Sequence, residues 1–504
     1  MATAFNKRVA AVVFNSVNHD TRVLKEADSL ARAGYEITVF GIRDSNCKDA
    51  QTLRDSGARI QRVDWRIRPA IVLARTVFFG LILFALLFAI VVALVYDEAV
   101  PKSTVMFGGV IAILLGGVPL YLRANRRYRA LAGVEGRAAG QTAIDKSPRQ
   151  QAMPSKTRGI VSIFRDLLDR AIATVKANPV VLELQYILKR LISMICMSIA
   201  ASKAVKAYRP EIVHCHDLNT VPVGYGYSKR AKCKLVYDSH EIYEEQSSFG
   251  RMAGFVYRLM QRFYSSRIDG FITINDSIRD FLKSRYPALP NAVIIKNATV
   301  PLEGDIVYDG RLHKVAGLAP DTKILLYQGG FSRKRGLDLL VRSSVLLPDS
   351  WCLVMMGWGS QEPALRQLAQ AIDQDGHHIR FVARVPHDEL AYWTAGATIG
   401  VIPYEKVGLN NWFCTPNKLW EYPNAGVPVL VSPFPEMTKV VHEHGIGWLL
   451  QQPLSPENIA GHIASITDED LRKTRAAARA FIQNDNWLVY ERRLLDLYKS
   501  MTAS

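Results

Sequence analysis

Residues Arg8–Gly41 read RVAAVVFNSVNHDTRVLKEADSLARAGYEITVFG, and this stretch decides the fold class. It begins with a short apolar run of strand type, Arg8–Phe14, and it ends with a second one, Tyr35–Gly41. Between them the apolar residues of Thr21–Ala33 recur at helical spacing, and Gly34 follows where helices commonly end. Two strands joined through a helix must run parallel, so the sequence predicts a parallel sheet that is covered by helices.

The same alternation continues through most of the chain. It indicates an α/β protein with two doubly wound, Rossmann-like domains in tandem and a boundary near residues 303–318. Further strands are predicted at Ile212–His214, Leu235–Tyr237, Gly270–Ile274, Val293–Ile295, Ile324–Tyr327, Cys352–Met356, Ile379–Val382, Ile399–Ile402 and Val429–Val431.

Composition bounds the class of protein and its partners. The chain has 504 residues, of which 49% are hydrophobic and 22% charged, which excludes a disordered chain, a collagen and a small disulfide scaffold. The net charge of +17 favours anionic partners, such as nucleic acid, anionic lipid or phosphate-bearing substrates, without choosing among them. The six cysteines form no CxxC pair, which is typical of reduced thiols in the cytosol.

Two charge-free apolar segments, Thr76–Tyr96 and Ser103–Leu122, interrupt the α/β pattern. Each is long enough to cross a hydrocarbon core of about 30 Å, and the short connector Asp97–Lys102 predicts a tight transmembrane hairpin. Arginines flank both outer ends, and the positive-inside rule therefore places those ends in the cytoplasm. A hairpin buried in a soluble core is the alternative. Neither segment contains an ionisable residue, which favours an anchor over a transport pathway.

The region after the hairpin is first polar and then helical. Residues 130–159 are rich in Gly, Gln, Ser and Lys and predict a linker. Ile160–Tyr208 is helical and carries several basic residues, so it could lie on an anionic membrane surface or pack as ordinary core helices. The predicted organisation is an N-terminal domain in two parts (1–68 and 160–304), the hairpin region 69–129, the linker 130–159, a C-terminal domain 305–485 and a final helical segment 486–504.

Polar clusters follow the predicted strands at their carboxyl ends, where open α/β sheets bind their ligands. They are NSVNHDTR (Asn15–Arg22), HCHDLNT (His214–Thr220), YDSHEIYEE (Tyr237–Glu245), QGGFSRKRG (Gln328–Gly336), GWGS (Gly357–Ser360) and PYEKVGLNNWFCTPNKLWEY (Pro403–Tyr422). In the fourth cluster, Gly329 and Gly330 let the backbone approach a ligand closely, and the basic run Arg333–Arg335 adds three cations. This pattern fits a diphosphate site, although a solvated basic turn is the simpler alternative.

Three histidines and one glutamate allow further readings. His214 and His216 share one face of a strand, but no additional Cys/His cluster completes a metal site. One buried and one loop-facing histidine is therefore favoured, and no metal is expected. His240 ends a strand beside Asp238 and could position or polarise a substrate hydroxyl, or be purely structural. Glu421 could bind a ribose diol, or it could offset a helix dipole.

The order of these clusters resembles the family 4-type, GT-B-fold glycosyltransferases, known as the "glycosyl transferases group 1" set. The resemblance covers nearly the whole chain except roughly residues 70–160. It is carried by NHDTRVLKEADSLARAGYEITVFG, PEIVHCHDLNTVPVGY, KLVYDSHEIYEE, YQGGFSRKRGLDLLV, LVMMGWGS, VPHDELAYWTAGATIGVIPY and PNKLWEYPNAGVPVLVS.

The resemblance implies a retaining transfer of a sugar from a nucleotide-sugar donor, with no bound metal and no other cofactor. It places the acceptor on the N-terminal domain and the nucleotide on the C-terminal domain, where cations and backbone amides offset the charge of the leaving diphosphate. It also implies that the final helix, 486–504, crosses back to the N-terminal domain. The implied catalytic residues are His240 at the donor sugar, Arg335 at the diphosphate and Glu421 at the ribose. The implied donor-binding residues are Gly329, Gly330, Arg333, Gly357, Pro416, Asn417 and Lys418, and the implied acceptor-side residues are Asn15, Asn18, Asp20, His216 and Asp217.

The chain departs from the family pattern at three places. Phe413 stands where the first glutamate of a paired motif is usual, Gly330 stands where an arginine is usual, and the first loop lacks a Gly-Gly pair. Arg333 or Lys418 could replace the missing cation.

The expected function is a membrane-anchored glycosyltransferase of polysaccharide or glycan assembly. Its expected partners are a UDP- or GDP-sugar, a lipid-linked or glycan acceptor and membrane lipids. The expected location is the inner membrane, with several spans and with the catalytic domains in the cytoplasm. A non-catalytic nucleotide-sugar-binding partner of a membrane assembly and a GT-B-fold sugar epimerase are the alternatives. Nucleic-acid binding is not expected, because basic residues that flank membrane spans account for much of the charge.

Overall fold

The computed structural model describes residues 7–18, 20–44, 47, 49–65, 80, 179–246, 250–304 and 306–502. The chain divides into two compact units, residues 1–63 with 201–504, and residues 64–200. The predicted hairpin, except for Gly80, and the predicted linker lie outside the described residues.

The first unit contains an eight-stranded sheet in the order β3-β4-β2-β1-β5-β6-β7-β8. Neighbouring strands are parallel, except that β3 runs antiparallel to β4. The strands are β1 Arg8–Val12, β2 Glu36–Ile42, β3 Gln51–Leu53, β4 Arg59–Val63, β5 Ile212–His216, β6 Lys234–Ser239, β7 Gly270–Thr273 and β8 Ala292–Ile294.

The opening β–α–β unit is confirmed. Strand β1 pairs in parallel with β2, with Arg8 opposite Glu36, and helix α1 (Thr21–Arg32) connects them. The side chain of Asp20 accepts a hydrogen bond from the Val23 amide and so caps the start of the helix. Strand β1 is buried on both faces from Val9 to Val12, as expected for a parallel strand between two helical layers.

The helices between β4 and β8 follow the predicted alternation. They are α2 Pro179–Tyr208, α3 Val221–Ala231, α4 Arg251–Tyr264 and α5 Asp276–Arg285, with 3₁₀ turns at Tyr243–Glu245 and Ser265–Arg267. Within α2, Lys189–Tyr208 is a candidate membrane span by length and composition, and 11% of its most apolar window is buried.

The first unit also contains a six-stranded parallel sheet in the order β11-β10-β9-β12-β13-β14. Its strands are β9 Lys323–Gly330, β10 Trp351–Trp358, β11 Ile379–Ala383, β12 Ile399–Ile402, β13 Val429–Val431 and β14 Gly447–Leu449. Its helices are α6 Arg311–Ala316, α7 Leu337–Ser343, α8 Glu362–Ile372, α9 Leu390–Thr394, α10 Leu409–Trp412, α11 Lys418–Asn424, α12 Pro435–His444, α13 Pro456–Ser465, α14 Asp468–Asn484 and α15 Trp487–Thr502, with a 3₁₀ turn at Ser344–Leu346.

The strand order of both sheets reverses next to the first strand in each. The chain winds outward from β1 through β2 and then restarts on its other side with β5, and it does the same around β9 with β10 and β12. Connections leave in opposite directions at such a switch point, which opens a crevice at the carboxyl ends of the strands. The polar clusters of the sequence follow these strands.

Three strands escaped the sequence analysis. Strand β3 is exposed along its whole length at the sheet edge, and β4 (RIQRV) has only two apolar residues, Ile60 and Val63. Strand β14 has only three half-buried residues, Gly447–Leu449. Short or amphipathic strands such as these lack the continuous apolar run by which the buried strands were found.

Candidate functional site

A cavity of about 610 Å³ lies where the loops after β6, β9 and β12 meet. Most of the residues that the resemblance assigns to catalysis and donor binding line it. They are His240, Gly329, Gly330, Arg333, Arg335, Pro416, Asn417, Lys418 and Glu421. The fold therefore brings together residues that are up to 181 positions apart (421 − 240).

One end of the cavity is basic. Lys418 begins helix α11, is only 7% exposed, and donates to the hydroxyl of Tyr404 at 3.3 Å. Arg335 also donates to that hydroxyl, and its Nε donates to Ser332 Oγ at 2.8 Å. Neither cation forms an ion pair with a carboxylate in the described part of the chain. Neutral hydroxyls hold both cations, and of the two only Lys418 is affected by a nearby carboxylate charge, that of Glu421. Because neither cation is tied up in an ion pair, both keep an attraction for an anion.

The turn at the end of β9 passes close to this basic end. Gly329 has a φ of +113°, and a Cβ atom there would lie 3.0 Å from the ammonium of Lys418. Only glycine combines this backbone conformation with room for the lysine. Burial lowers the pKa of Lys418, and a bound anion would reverse that effect by restoring a charge partner.

Gly330 faces open space. No atom lies within 4 Å of where its Cβ would be. The arginine that the family usually carries at this position would therefore have room, and the cavity is wider here for its absence.

The carboxylate of Glu421 is held at the wall of the cavity. Gln328 Nε2 donates to Glu421 Oε2 at 2.9 Å, and Thr394 Oγ1 donates to Gln328 Oε1 at 2.7 Å. This chain of hydrogen bonds fixes the orientation of the amide and, through it, that of the glutamate. Glu421 thus presents a fixed carboxylate to the cavity.

His240 also lines the cavity, on the loop after β6. Its Nε2 lies 3.0 Å from Asp238 Oδ2 and 3.2 Å from His216 Nδ1. Its Nδ1 lies 3.7 Å from Asp217 Oδ2. Burial alone would lower the pKa of His240, but the carboxylates of Asp217 and Asp238 outweigh it and raise the pKa to about 10. The ring is therefore an imidazolium at neutral pH.

A buried ionic network lies below His240. Arg22 donates to both carboxylate oxygens of Asp238 at 2.9 Å, and its Nε lies 3.1 Å from Glu26 Oε1. Although burial disfavours the charge of Asp238, Arg22 and His240 hold its pKa well below the usual range. The pKa of Glu26 is raised by burial and by the nearby Asp238 charge. The sequence analysis did not assign this role to Arg22. Its position among the apolar residues of α1 could have indicated a buried ion pair.

The two histidines of β5 differ from expectation. His214 and His216 are both buried, with stacked rings 4.3 Å apart, so the prediction that one of them faces the loop is wrong. With Glu26 and Asp238 they form a group whose potential ligand atoms lie within 4.8 Å of one another. The guanidinium of Arg22 sits against both carboxylates of this group and supplies the positive charge that they require.

A second cavity of about 410 Å³ adjoins His240 on the N-terminal side. Two predicted acceptor-side residues, Asn15 and Asp20, line it, and Asn15 Nδ2 donates to Asp20 Oδ2 at 2.8 Å. Asn18 instead accepts from Arg62 Nη2 at 2.6 Å. His216 is buried and lines neither cavity, and its Nδ1 lies 3.2 Å from His240 Nε2.

Gly357, a predicted donor-binding residue, and Phe413, a departure from the family pattern, do not line the cavity but contact residues next to it. Gly357 pairs with Gly329 in the β9–β10 register, and a Cβ atom at Gly357 would lie 1.9 Å from Gly329 O. Phe413 packs its ring against the core of the first sheet, and its carbonyl accepts from Asn275 Nδ2 at 2.7 Å.

Two cavity residues near Phe413 carry polar groups that the sequence analysis did not select. Asn410 donates to Glu241, and its Oδ1 accepts from the Ile242 amide at 3.0 Å. These contacts join helix α10 of the second sheet to the loop after β6 of the first. Asn410 lay within a quoted motif, but an asparagine in a loop carries no distinctive pattern of its own.

Comparison with known proteins identifies two domain types in the chain. Residues 322–469 match the family described as "Glycosyl transferases group 1", and residues 164–299 match the family described as "Glycosyltransferase Family 4". The chain therefore carries glycosyltransferase group 1 and family 4-type domains, as the resemblance in the sequence predicted.

Curated relatives match over parts of their length. D-inositol 3-phosphate glycosyltransferase of Xylanimonas cellulosilytica is 27% identical over 226 residues, which are 43% of this chain and 52% of the relative. O-antigen chain mannosyltransferase B of Escherichia coli is 28% identical over 165 residues, 31% of this chain and 40% of the relative. The chain spans about half the length of the curated relatives that it matches.

Solved structures with this fold cover almost the whole chain. Sucrose-phosphate synthase from Thermosynechococcus elongatus superposes with a TM-score of 0.59 at 14% identity, covering 99% of this chain and 100% of that one. Anabaena HepE, solved with UDP and glucose, gives 0.58 at 11% identity over 98% and 100%. WaaG, a glycosyltransferase involved in lipopolysaccharide biosynthesis, gives 0.56 at 11% identity over 97% and 99%. The predicted GT-B fold is confirmed.

Proposed function

We propose that this chain is a glycosyltransferase that moves a sugar, with retention and without a metal ion, from a nucleotide-sugar donor to a lipid-linked or glycan acceptor. The observation that carries the proposal is the pair of cations, Arg335 and Lys418, held by neutral hydroxyls at one end of a cavity. Charged His240 and the carboxylate of Glu421, which Gln328 holds, line the same cavity. This arrangement matches a donor with a diphosphate, a sugar and a ribose.

Each wall of the cavity has a part in the reaction. Arg335, Lys418 and the backbone around Gly329 stabilise the negative charge that grows on the diphosphate as the glycosidic bond breaks. Such stabilisation acts most strongly in a site from which water is largely excluded. Glu421 binds the ribose diol and so fixes the donor along the cavity.

His240 acts as a positively charged hydrogen-bond donor and not as a general base. Because its pKa is about 10, the ring donates hydrogen bonds at neutral pH and does not accept protons. We assign it to a hydroxyl of the donor sugar. Asp217 and Asp238 keep it charged, and Arg22 keeps Asp238 in place.

Asn410 and Glu241 take over the sugar contacts of the missing motif glutamate. Phe413 turns its ring into the core, whereas both polar residues line the same cavity and bond to each other. Their amide and carboxylate can bind two sugar hydroxyls. Their position at the junction of the two sheets also puts donor binding in contact with both.

We propose that the acceptor is lipid-linked and that the enzyme works at the cytoplasmic face of an inner membrane. The support is the pair of apolar segments in the sequence, the candidate span in α2 and the juxtamembrane arginines. Relatives include an O-antigen chain mannosyltransferase, and HepE was solved with UDP and glucose. The UDP in the HepE structure supports a nucleoside-diphosphate sugar as donor, and we propose a UDP- or GDP-sugar.

The deciding experiment uses the detergent-solubilised full chain. It is incubated with a panel of UDP-, GDP- and ADP-sugars, with and without membrane lipid extract, and the release of free nucleoside diphosphate is measured. We expect release that depends on lipid with one donor only, persists in EDTA, and yields a product of the donor's anomeric configuration by NMR.

Four variants accompany this assay. His240→Ala and Glu421→Ala should abolish release, and Arg335→Gln should weaken nucleotide binding about 10- to 100-fold, the usual effect of losing a charge-assisted hydrogen bond. Arg342→Gln, an exposed arginine on α7, is the matched control and should leave binding unchanged. Binding of a donor without release under every condition would instead identify a non-catalytic nucleotide-sugar-binding partner, for which Phe413 and Gly330 are the first positions to revert.

A further inference from the structure

Helix α4, Arg251–Tyr264, presents an apolar face to the surface of the first unit. Met252, Phe255, Leu259 and Phe263 are 44%, 55%, 52% and 47% exposed. Positions three, seven and eleven residues after the first lie on one face of a helix, so these four side chains form a continuous row. We call this row the α4 stripe. The opposite face of the helix is buried, with Ala253, Tyr257 and Gln261 against the protein.

The surroundings of the stripe are basic. Between Gln246 and Ile268 the chain contains four arginines, at positions 251, 258, 262 and 267, and no carboxylate. Arg267 lies with its guanidinium 4.0 Å from the ring centroid of Phe263. Next to it, Tyr225 of α3 meets Phe263 edge to face at 5.8 Å, and Lys229 lies 6.0 Å from the Tyr225 ring.

An apolar row with a basic border favours a membrane surface as the binding partner of the α4 stripe. Helices that lie in a membrane interface carry exposed aromatic and aliphatic residues on one side and lysine or arginine at the edges. Long basic side chains and aromatic rings suit that boundary, because each has an apolar body and a polar tip. Helix α4 itself carries arginines and no carboxylate, and Glu244 of the adjoining 3₁₀ turn is paired with Arg285, so the row is complementary in charge to anionic headgroups.

We propose that the α4 stripe docks onto the surface of an anionic bilayer. The four apolar side chains enter the headgroup region, and Arg258, Arg262 and Arg267 contact lipid phosphates. This contact is additional to any membrane-spanning segment, and it concerns a face of the catalytic unit itself.

The buried side of α4 contacts the 3₁₀ turn that follows the cavity residue Glu241. On the buried side of α4, Tyr257 packs edge to face on Tyr243 at 4.9 Å. A Cβ atom at Gly254 would lie 3.0 Å from Glu244 O, so the helix backbone approaches the 3₁₀ turn that follows Glu241. Docking of α4 therefore holds the loop that carries His240 and Glu241 at a defined height above the lipid, where an acceptor in the membrane would be presented.

The test is photo-cross-linking of the full chain in vesicles. p-Benzoylphenylalanine replaces Phe255, and in a separate sample it replaces Tyr392, an aromatic residue of α9 that is 43% exposed. Both samples are reconstituted in phosphatidylcholine vesicles with or without phosphatidylglycerol and irradiated, and adducts are identified by mass spectrometry. Both positions are exposed aromatics, so the substitutions leave the core intact.

We expect lipid adducts at position 255 at least tenfold above those at 392, and a several-fold loss when phosphatidylglycerol is omitted. The double variant Arg262→Glu, Arg267→Glu should cause a similar loss. Equal yields at 255 and 392, adducts with a second copy of this chain or with another protein, or independence from phosphatidylglycerol would each overturn the proposal. The readout requires no catalysis, so its failure is distinguishable from failure of the proposed transferase activity.

Discussion

The charge on His240 is decided by residues that lie beside it only in the folded chain. Asp238 is two positions away along β6, but Asp217 follows β5 and Arg22 belongs to α1. The two carboxylates stabilise the imidazolium, and Arg22 in turn stabilises Asp238. These carboxylates keep the His240 ring charged at neutral pH, because they raise its pKa.

The first prediction concerns this charge. In ¹⁵N-histidine NMR, with His240→Gln used for assignment, the His240 ring should stay protonated through neutral pH and titrate near 10. The change Asp217→Asn should lower its pKa, because one of the two stabilising carboxylates is removed. Since folding raises the pKa, the charged ring stabilises the folded state fully below its ordinary value of 6.5, and this contribution is lost as the pH rises toward 10. Titration of the wild-type ring near neutrality would contradict the assignment.

At the scale of secondary-structure elements, the basic end of the cavity depends on how closely β9 and β10 approach. Gly357 and Gly329 face each other at the ends of these strands, just before the loops that line the site. The absence of side chains at both positions lets the turn of Gly329 reach Lys418.

The second prediction tests this packing with two glycine substitutions. Gly357→Ala places a Cβ atom 1.9 Å from Gly329 O, so one strand must move. We expect a loss of about 1–3 kcal/mol in stability, as for other overpacked sites, together with weaker nucleotide binding. Gly461→Ala in α13 is the control, because its Cβ meets no atom within 4 Å, and it should stabilise the helix by about 0.5–1 kcal/mol. Thermal unfolding and calorimetric nucleotide binding measure both effects; a Gly357→Ala protein that matched wild type in both would refute this account.

At the scale of the whole molecule, the last helix joins the end of the chain to its beginning. Trp487 starts α15 and is 1% exposed; its Nε1 donates to Ser29 Oγ of α1 at 3.1 Å, and its amide donates to Thr299 O at 2.8 Å. Farther along the helix, Tyr498 OH lies 2.8 Å from His214 Nδ1, in the network below the site. The C-terminal segment thus completes the N-terminal half of the protein.

The third prediction concerns this junction. Trp487→Ala should destabilise the protein by about 3–5 kcal/mol, the usual cost of removing a large buried aromatic side chain. The neighbouring residue provides the control: Leu488 is 46% exposed, and Leu488→Ala should change stability by less than about 0.5 kcal/mol. Thermal unfolding midpoints compare the two, and similar shifts would show that α15 does not hold the N-terminal half in this way.

Parts of the site follow from short stretches of sequence. The glycine–basic turn Gly329–Arg335 and the histidine at the end of β6 were selected because strand ends in parallel sheets form binding edges. The sequence also predicted the parallel sheets, because buried strands appear as continuous apolar runs between segments of helical periodicity. These features depend on local spacing, which a single sequence displays in full.

Tertiary structure alone decided how those residues interact. Two contacts join elements that are far apart in the chain: Arg22 with Asp238, and Asn410 with Glu241. The burial of His216 likewise depends on residues that are distant in sequence. No periodicity records which of two polar residues will be buried, or which distant carboxylate will face it. The sequence by itself therefore determined the α/β fold and the edge at which the site lies, because both follow from local spacing. Packing decided the charge of His240 and the contacts of the two cations at the basic end of the cavity, because Coulomb and desolvation energies depend on distances that only the folded chain defines.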